Sequence, residues 1–189
     1  MEVHPDLKNA IKAWEIAWQE IHNHISSLDQ EQLLQIPVDG GWTIQQIIQH
    51  LNLSERLSLQ YVRRKTSNPG ELRRAGVASY LRLQLLHISL ASPIRFKAPA
   101  LVSNSRLPDG ETFEETLSQL SISHIELREL AKEVAPLLAK KEVFKHPFAG
   151  KLPLAGMFWF FTWHLRHHQR QINRNLKESH NVSRQGHQQ

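Results

Sequence analysis

Two histidines, His164 and His168, lie four residues apart in a stretch that predicts one long helix from Gly156 to Leu176. Because a helix advances about 100° per residue, both rings lie on one side of it, near the middle of the apolar face. Burying an imidazole ring without a polar partner costs roughly 1–3 kcal/mol. A shared metal ion would satisfy both rings, since side chains at i and i+4 are about 5–6 Å apart. Simple hydrogen bonding in the core is the alternative, and this helix alone leaves both interpretations open.

His167 lies between these two residues in the sequence but points to the flank of the apolar face, toward Trp163. We therefore expect it beside the site or at the surface rather than among the ligands. Basic residues crowd the opposite side of the helix, which makes the whole segment amphipathic: Arg166, Arg170, Arg174 and Lys177.

A third histidine, His50, belongs to an earlier predicted helix that starts at Thr43 and runs to roughly Lys65. Thr43 and Gln46 have the spacing of a capping box, in which each side chain accepts a hydrogen bond from the other residue's backbone amide. His50 lies at one edge of this helix's apolar face. A single histidine in such a position is usually structural, so this helix alone is weak evidence for a metal.

Helical periodicity recurs along the rest of the chain. It predicts helices over Pro5–Ser26, Asp29–Gln35, Gly76–Ser92 and Thr112–Val134, the last closed or kinked by Pro136. His124 in that last helix is expected at the edge of the core or at the surface. Residues 94–110 form the longest irregular segment and predict a crossover connection. The predicted fold class is therefore all-α, an antiparallel four-helix bundle with a long crossover and an additional short helix.

Length, composition and charge limit the domain organisation, the metal ligands and the partners that we expect. The 189 residues suit a single domain, which we expect over residues 1–178, followed by a polar, disordered tail at 179–189. The absence of cysteine leaves only nitrogen and oxygen ligands for a metal. The net charge of +5 raises the question of nucleic acid, but the arginines are spread over several helices, so we do not expect nucleic-acid binding. Without a secretory signal or an apolar run of about 20 residues, we expect a cytoplasmic protein with no membrane segment.

Inward-facing side chains of different helices meet in the core of a bundle, and such cores build metal sites. His50, His164 and His168 can therefore be three ligands of one ion, a set that suits Zn²⁺ or Ni²⁺. Three protein ligands leave one position open for water or substrate, and a water bound there would be the nucleophile.

The residues also resemble a known family. The segments Gly41–Leu51, His146–Leu152 and His164–Ile172 are similar to the tryptophan-Ser/Thr…His-Leu helix entry, the His-Pro turn and the closing His-x-x-His-His-x-x-Gln-Ile signature of the DinB/YfiT-like superfamily. They occur in the family's order and spacing and, with the helices, cover most of the chain.

The resemblance implies a four-helix bundle, often a homodimer, with nickel, zinc or iron on three histidines, here His50, His164 and His168. It implies a small-molecule substrate and one of two activities, a metal-dependent hydrolase or a transferase of a low-molecular-weight thiol. With the family in view, Gln171 and Tyr61 become candidates to hydrogen-bond the ligands, as does His167. For Gln171, a helix-packing hydrogen bond is an equal alternative.

The sequence thus predicts a metal-dependent enzyme that activates water or a thiol toward a small electrophile. A non-catalytic metal-binding or ligand-binding bundle, associated with stress, is the alternative. No acidic residue is in obvious reach of the site as a general base.

Overall fold

The computed structural model describes residues 5–68, 70, 72–92, 107–108 and 110–186. In chain order its elements are α1 (Pro5–Ile25), α2 (Gln30–Leu34), α3 (Ile44–Thr66), α4 (Val77–Ala91), α5 (Phe113–Leu138), β1 (Phe144–His146), β2 (Gly150–Leu152) and α6 (Leu154–Gly186). None of the helices in these ranges has the length and hydropathy needed to cross a bilayer.

Short local signals set where the helices start. Asp29 and Gln32 form a capping box at the start of α2, and Thr43 and Gln46 form the predicted one at α3. At α5, Glu115 donates its backbone amide to Thr112 Oγ1 over 3.2 Å and accepts the Thr112 amide over 2.8 Å. Each box satisfies amides that the first turn of a helix leaves unpaired.

The helices pack as the predicted all-α four-helix bundle. Helix α1 packs along α6, α3 packs along α5, and α4 covers another side of α6 and touches β2. The largest buried side chains come from all four long helices: Trp14, Ile21, Ile48, Leu51, Leu127, Phe158 and Phe161. The predicted crossover segment, residues 94–110, lies largely outside the described residues.

A small β-hairpin precedes α6, where the sequence analysis placed only a tight turn. Strands β1 and β2 are antiparallel, with Phe144 opposite Leu152 and His146 opposite Gly150. His146 Nδ1 accepts the backbone amides of Phe148 and Ala149 over 3.2 and 3.1 Å. Gly150 adopts φ +74°, a conformation that favours glycine. Strands of three residues are too short to show an alternating pattern, so the sequence analysis missed them.

Two helices are longer than predicted. Helix α5 continues past Val134 and Pro136 to Leu138. The backbone of α6 continues past Lys177 to Gly186, through a segment with no proline and no glycine before Gly186. The division of the chain into a domain at 1–178 and a tail at 179–189 stays a prediction.

His124 is buried, so the expectation of a core-edge or surface residue is wrong. Its ring lies edge-on to Trp14 and Trp18, at centroid distances of 4.5 and 5.0 Å. His124 Nε2 is 2.8 Å from Glu55 Oε2. This close polar contact lacks the alignment of a hydrogen bond. Trp14 Nε1 donates to the other oxygen of Glu55 over 3.1 Å, and this polar cluster joins α1, α3 and α5 in the core.

Candidate metal centre

The capping box at Thr43 fixes the position of His50 on α3. It sets the first turn of the helix, and His50 follows two turns later on the side that meets α6. His50 is only 3% exposed. His50, which the sequence predicts at the edge of an apolar face, therefore lies fully inside the bundle.

Helix α6 supplies the other two rings from successive turns. His164 and His168 are 8% and 6% exposed. Their Nε2 atoms are 3.1 Å apart, which is the contact expected for side chains at i and i+4 on one helical face.

The three rings meet at one point. His50 Nε2 lies 3.1 Å from His164 Nε2, although the two residues are 114 positions apart in the chain. The ligand nitrogens of His50, His164 and His168 all lie within 4.8 Å of one another. In a tetrahedral zinc site with Zn–N distances of about 2.0–2.1 Å, neighbouring nitrogens are about 3.4 Å apart. Among the described residues, His50, His164 and His168 form the group of His, Cys, Asp or Glu side chains whose ligand atoms are close enough together to share one ion.

Hydrogen bonds alone cannot satisfy all of the close contacts among the three Nε2 atoms. His168 Nδ1 donates to Gln171 Oε1 over 2.9 Å, so the neutral ring keeps its lone pair on Nε2. His164 Nε2 contacts both other rings but has one proton or one lone pair, so it can form a good hydrogen bond with only one of them. A cation that accepts the lone pairs of all three nitrogens satisfies both contacts, and the donor set therefore fits a metal.

The environment keeps the rings of His164 and His168 neutral, which metal binding requires. Burial lowers the pKa of His164 well below its usual range, and the nearby rings of His168 and His50 lower it further. Burial also lowers the pKa of His168 well below its usual range, with smaller contributions from His50, His167 and Arg174. Protons therefore compete weakly with a cation at neutral pH.

Aromatic side chains hold the ring planes. Phe160 stacks on His164 at 5.0 Å, one helical turn earlier in α6. Trp42 lies 4.7 Å from the ring of His50 and 6.3 Å from that of His168. Nothing in the sequence analysis connected Trp42 with the histidines. The position of Trp42 directly before the α3 cap was the available signal.

His167 lies outside the group of three rings. Its ring packs edge-on to His168 at 5.3 Å, and its Nδ1 donates to the carbonyl oxygen of Leu90 over 3.1 Å. Burial lowers the pKa of His167, although the bond to Leu90 opposes this. His167 thereby ties the end of α4 to α6 beside the candidate site.

Of the two other candidate hydrogen-bond partners, Gln171 contacts one of the three rings and Tyr61 does not. Gln171 contacts His168 directly, as described above. Tyr61 lies eleven residues beyond His50 on α3, about 16 Å along the helix axis, where Arg64 lies over its ring at 5.6 Å. At that separation Tyr61 cannot hydrogen-bond the three rings.

His146 approaches the site from the β-hairpin. Its ring packs edge-on to Phe160 at 4.5 Å, and it lies close enough to His164 for a proton on His146 to lower the pKa of His164. Burial lowers the pKa of His146 to about 4. With Nδ1 accepting two backbone amides, the neutral ring carries its proton on Nε2.

Known proteins resemble this chain in sequence and in fold. Residues 13–172 match the sequence model of the DinB superfamily. A protein of Oceanobacillus iheyensis named "Putative metal-dependent hydrolase" is 25% identical over 151 residues, which cover 78% of this chain and 73% of that protein. A protein of Bacillus mycoides with the same functional name is 27% identical over 152 residues, covering 79% of this chain and 73% of the relative.

A solved structure shares the fold. YfiT from Bacillus subtilis matches 97% of this chain and 91% of its own chain, with a TM-score of 0.54 and 20% sequence identity. It is described as "a probable metal-dependent hydrolase with an unusual four-helix bundle topology". At 20% identity, the likeness to YfiT shows that the two chains share a fold.

Proposed function

The chain belongs to the DinB superfamily, and we propose on this basis that it is an enzyme that requires one divalent metal ion. His50, His164 and His168 hold the ion, which is Zn²⁺, Ni²⁺ or Fe²⁺. The observation that carries the proposal is the convergence of three buried Nε2 atoms from two helices. The metal-dependent names of the relatives support it.

When bound, such an ion supplies a Lewis acid that activates a water or thiol at its open position. The chain's own residues hold the ligands in place. Gln171 fixes the tautomer of His168, while Trp42 and Phe160 restrict the rings of all three histidines.

The charge of the site would favour an anionic partner for a bound divalent ion. Three neutral imidazoles would leave the charge of a divalent ion uncompensated. Burial is the main cause of the lowered pKa of His168, and Arg174 adds a smaller effect as a positive charge nearby. Hydroxide and thiolate both meet this need. We therefore propose a reaction in which water or a low-molecular-weight thiol adds to a small electrophile, as hydrolase or S-transferase.

Burial of the three rings favours one rival function, in which the bundle binds a metal ion and catalyses no reaction. All three ligand candidates are less than 10% exposed. The rival predicts that a loaded protein neither hydrolyses esters and amides nor transfers a thiol to chlorobimane or epoxide electrophiles. Turnover in either assay that is lost in His164→Ala would reject the rival and would identify the reaction class.

Metal content tests the proposal before any substrate is known. Elemental analysis of purified protein loaded with Zn²⁺, Ni²⁺ or Fe²⁺ should find about one ion per chain, and His164→Ala should lose it. His167→Ala is the matched control, because His167 is a neighbouring ring that does not face the other nitrogens, and it should keep the ion. A wild-type protein that retains none of the three metals would contradict the proposal.

We further propose that the protein is a homodimer in the cytoplasm that acts on a small molecule and does not bind nucleic acid. The spread of its basic residues over several helices supports the last point. Oligonucleotide binding with a steep dependence on salt would contradict it.

A further inference from the structure

Helix α4 is apolar on both of its sides. Leu83 and Leu86 are buried against the rest of the bundle. The opposite side is exposed and carries no charge, and ahead of the exposed Ala91 at its C-terminal end it presents seven residues: Val77, Ala78, Tyr80, Leu81, Gln84, Leu85 and Ile88. A helix that packs one face on a domain normally exposes polar and charged residues on the other, whereas a helix that is apolar all round is typically covered on both sides. We call these seven residues the outer face of α4.

The outer face is continuous and large. Because a helix advances about 100° per residue, the seven positions cover one unbroken arc along α4. Leu81, Leu85 and Ile88 are 60%, 64% and 65% exposed. The seven side chains offer roughly 700 Å² of surface, which is close to the ~800 Å² per partner that stable protein interfaces bury.

We infer that the outer face of α4 is the surface through which two copies of this chain associate. An uncharged face can meet its own copy without repulsion between like charges. Gln84, the one amide side chain of the face, carries both a donor and an acceptor and can therefore pair with itself across a two-fold axis. With the axis close to Gln84 and the two helices antiparallel, Leu81 of each copy lies beside Ile88 of the other.

The one basic residue of α4 is not available to bind an acidic partner. Arg82, the only Arg or Lys residue of the helix, is engaged by Glu142, with a distance of 2.9 Å between Nη2 and Oε1. It also donates to the carbonyl oxygen of Lys151 over 2.9 Å. The outer face thus offers no free cation to an acidic protein or a nucleic acid, and an apolar surface that matches itself is what remains.

The inference specifies the contact surface of the homodimer proposed above, and it does not depend on the metal chemistry. Sedimentation velocity and light scattering on the full chain should give twice the monomer mass of 21.9 kDa. Leu85→Glu should raise the dimer dissociation constant at least tenfold, because two-fold symmetry puts the charge into the interface twice. Ile125→Glu on α5 is the matched control, since Ile125 is 55% exposed, and it should remain dimeric.

The chain contains no cysteine, which allows a second test that does not weaken the interface. Gln84→Cys should form a disulfide-linked dimer under mild oxidation, whereas Ile125→Cys should stay mostly unlinked. A wild-type monomer at all concentrations, a Leu85→Glu variant that stays dimeric, or equal linkage of the two cysteine variants would overturn the inference. Flotation of a monomeric wild type with phosphatidylglycerol–phosphatidylethanolamine vesicles would overturn it in favour of a lipid surface.

Metal content, measured on the same samples, separates the two proposals. A monomeric Leu85→Glu variant that keeps its metal supports the interface and leaves the proposed enzyme intact. A wild-type dimer with no metal after loading would contradict the proposed function alone.

Discussion

At the scale of single residues, the site depends on which nitrogen of each imidazole carries the proton. Gln171 decides this for His168, because its Oε1 accepts the Nδ1 proton over 2.9 Å. Nε2 is then free to bind a cation. The residues around the ligands therefore contribute to metal affinity without touching the metal.

Replacing Gln171 should weaken metal binding and leave the fold intact. We expect Gln171→Leu to lower the affinity for Zn²⁺ by about 10- to 100-fold, the usual effect of losing such a partner. Competition with a chelating dye measures this. Gln171→Glu, which keeps an acceptor oxygen, should restore most of the affinity. Gln169→Leu is the control, since Gln169 bonds His24 and Asn173 instead; equal losses in both leucine variants would contradict the role.

His146 predicts a dependence of stability on pH. Burial lowers its pKa from an ordinary 6.5 to about 4, so the unfolded chain binds more protons between these values. Its contribution to stability is therefore fully present above about pH 6.5 and is lost as the pH falls through 4. In urea unfolding, the destabilisation caused by His146→Asn should shrink by about 3 kcal/mol between pH 8 and pH 4. A difference between wild type and variant that stays constant with pH would refute this.

Sequence reasoning found the ligand candidates by two separate routes. His164 and His168 follow from helical spacing, because i and i+4 positions share a face whatever the rest of the chain does. His50 could not be joined to them by spacing alone, since their contact spans 114 positions. The rule that inward-facing side chains of different helices meet in a bundle core supplied that link, and the family resemblance implied the same three ligands. Tyr61 was misplaced because a shared helical face says nothing about distance along the axis.

At the scale of elements, α1, α3 and α5 are held together by a buried polar cluster as well as by apolar packing. Glu55 is 2% exposed and contacts both Trp14 and His124. The sequence analysis did not identify this cluster, because partners on three helices become neighbours only when the bundle forms. The β-hairpin was missed because its strands are only three residues long.

Removing the carboxylate from this cluster should be costly. Glu55→Ala leaves Trp14 Nε1 and His124 without their buried partner, and leaving a buried polar group without a partner costs about 1–3 kcal/mol for each group. Glu15→Ala removes an exposed pair with Arg128, at 3.1 Å, and should cost less than about 1 kcal/mol. Urea unfolding of the two variants checks this. Similar losses would show that Glu55 contributes no more than a surface pair.

At the scale of the whole molecule, a bound metal would cross-link an early helix to the last one. Helices α3 and α6 have few direct contacts with each other, while each packs more extensively on another helix. An ion held by His50 on one side and His164 and His168 on the other would therefore stabilise the bundle as a unit. Binding to the folded state alone stabilises by mass action.

Thermal unfolding should report this cross-link. At a metal concentration of about 1,000 times the dissociation constant, the stabilisation is roughly 4 kcal/mol, which corresponds to a rise of roughly 10 °C in Tm for a chain of this size. His164→Ala should show no such rise. An equal rise in the variant would mean that the metal binds elsewhere.

The most direct test of the central claim is anomalous diffraction from crystals of the zinc-loaded full chain, recorded on both sides of the zinc absorption edge. We predict one strong peak per chain, at about 2.0–2.1 Å from Nε2 of His50, His164 and His168. An anomalous map with no peak among these three rings, or with a peak that only the two α6 histidines approach, would contradict the claim.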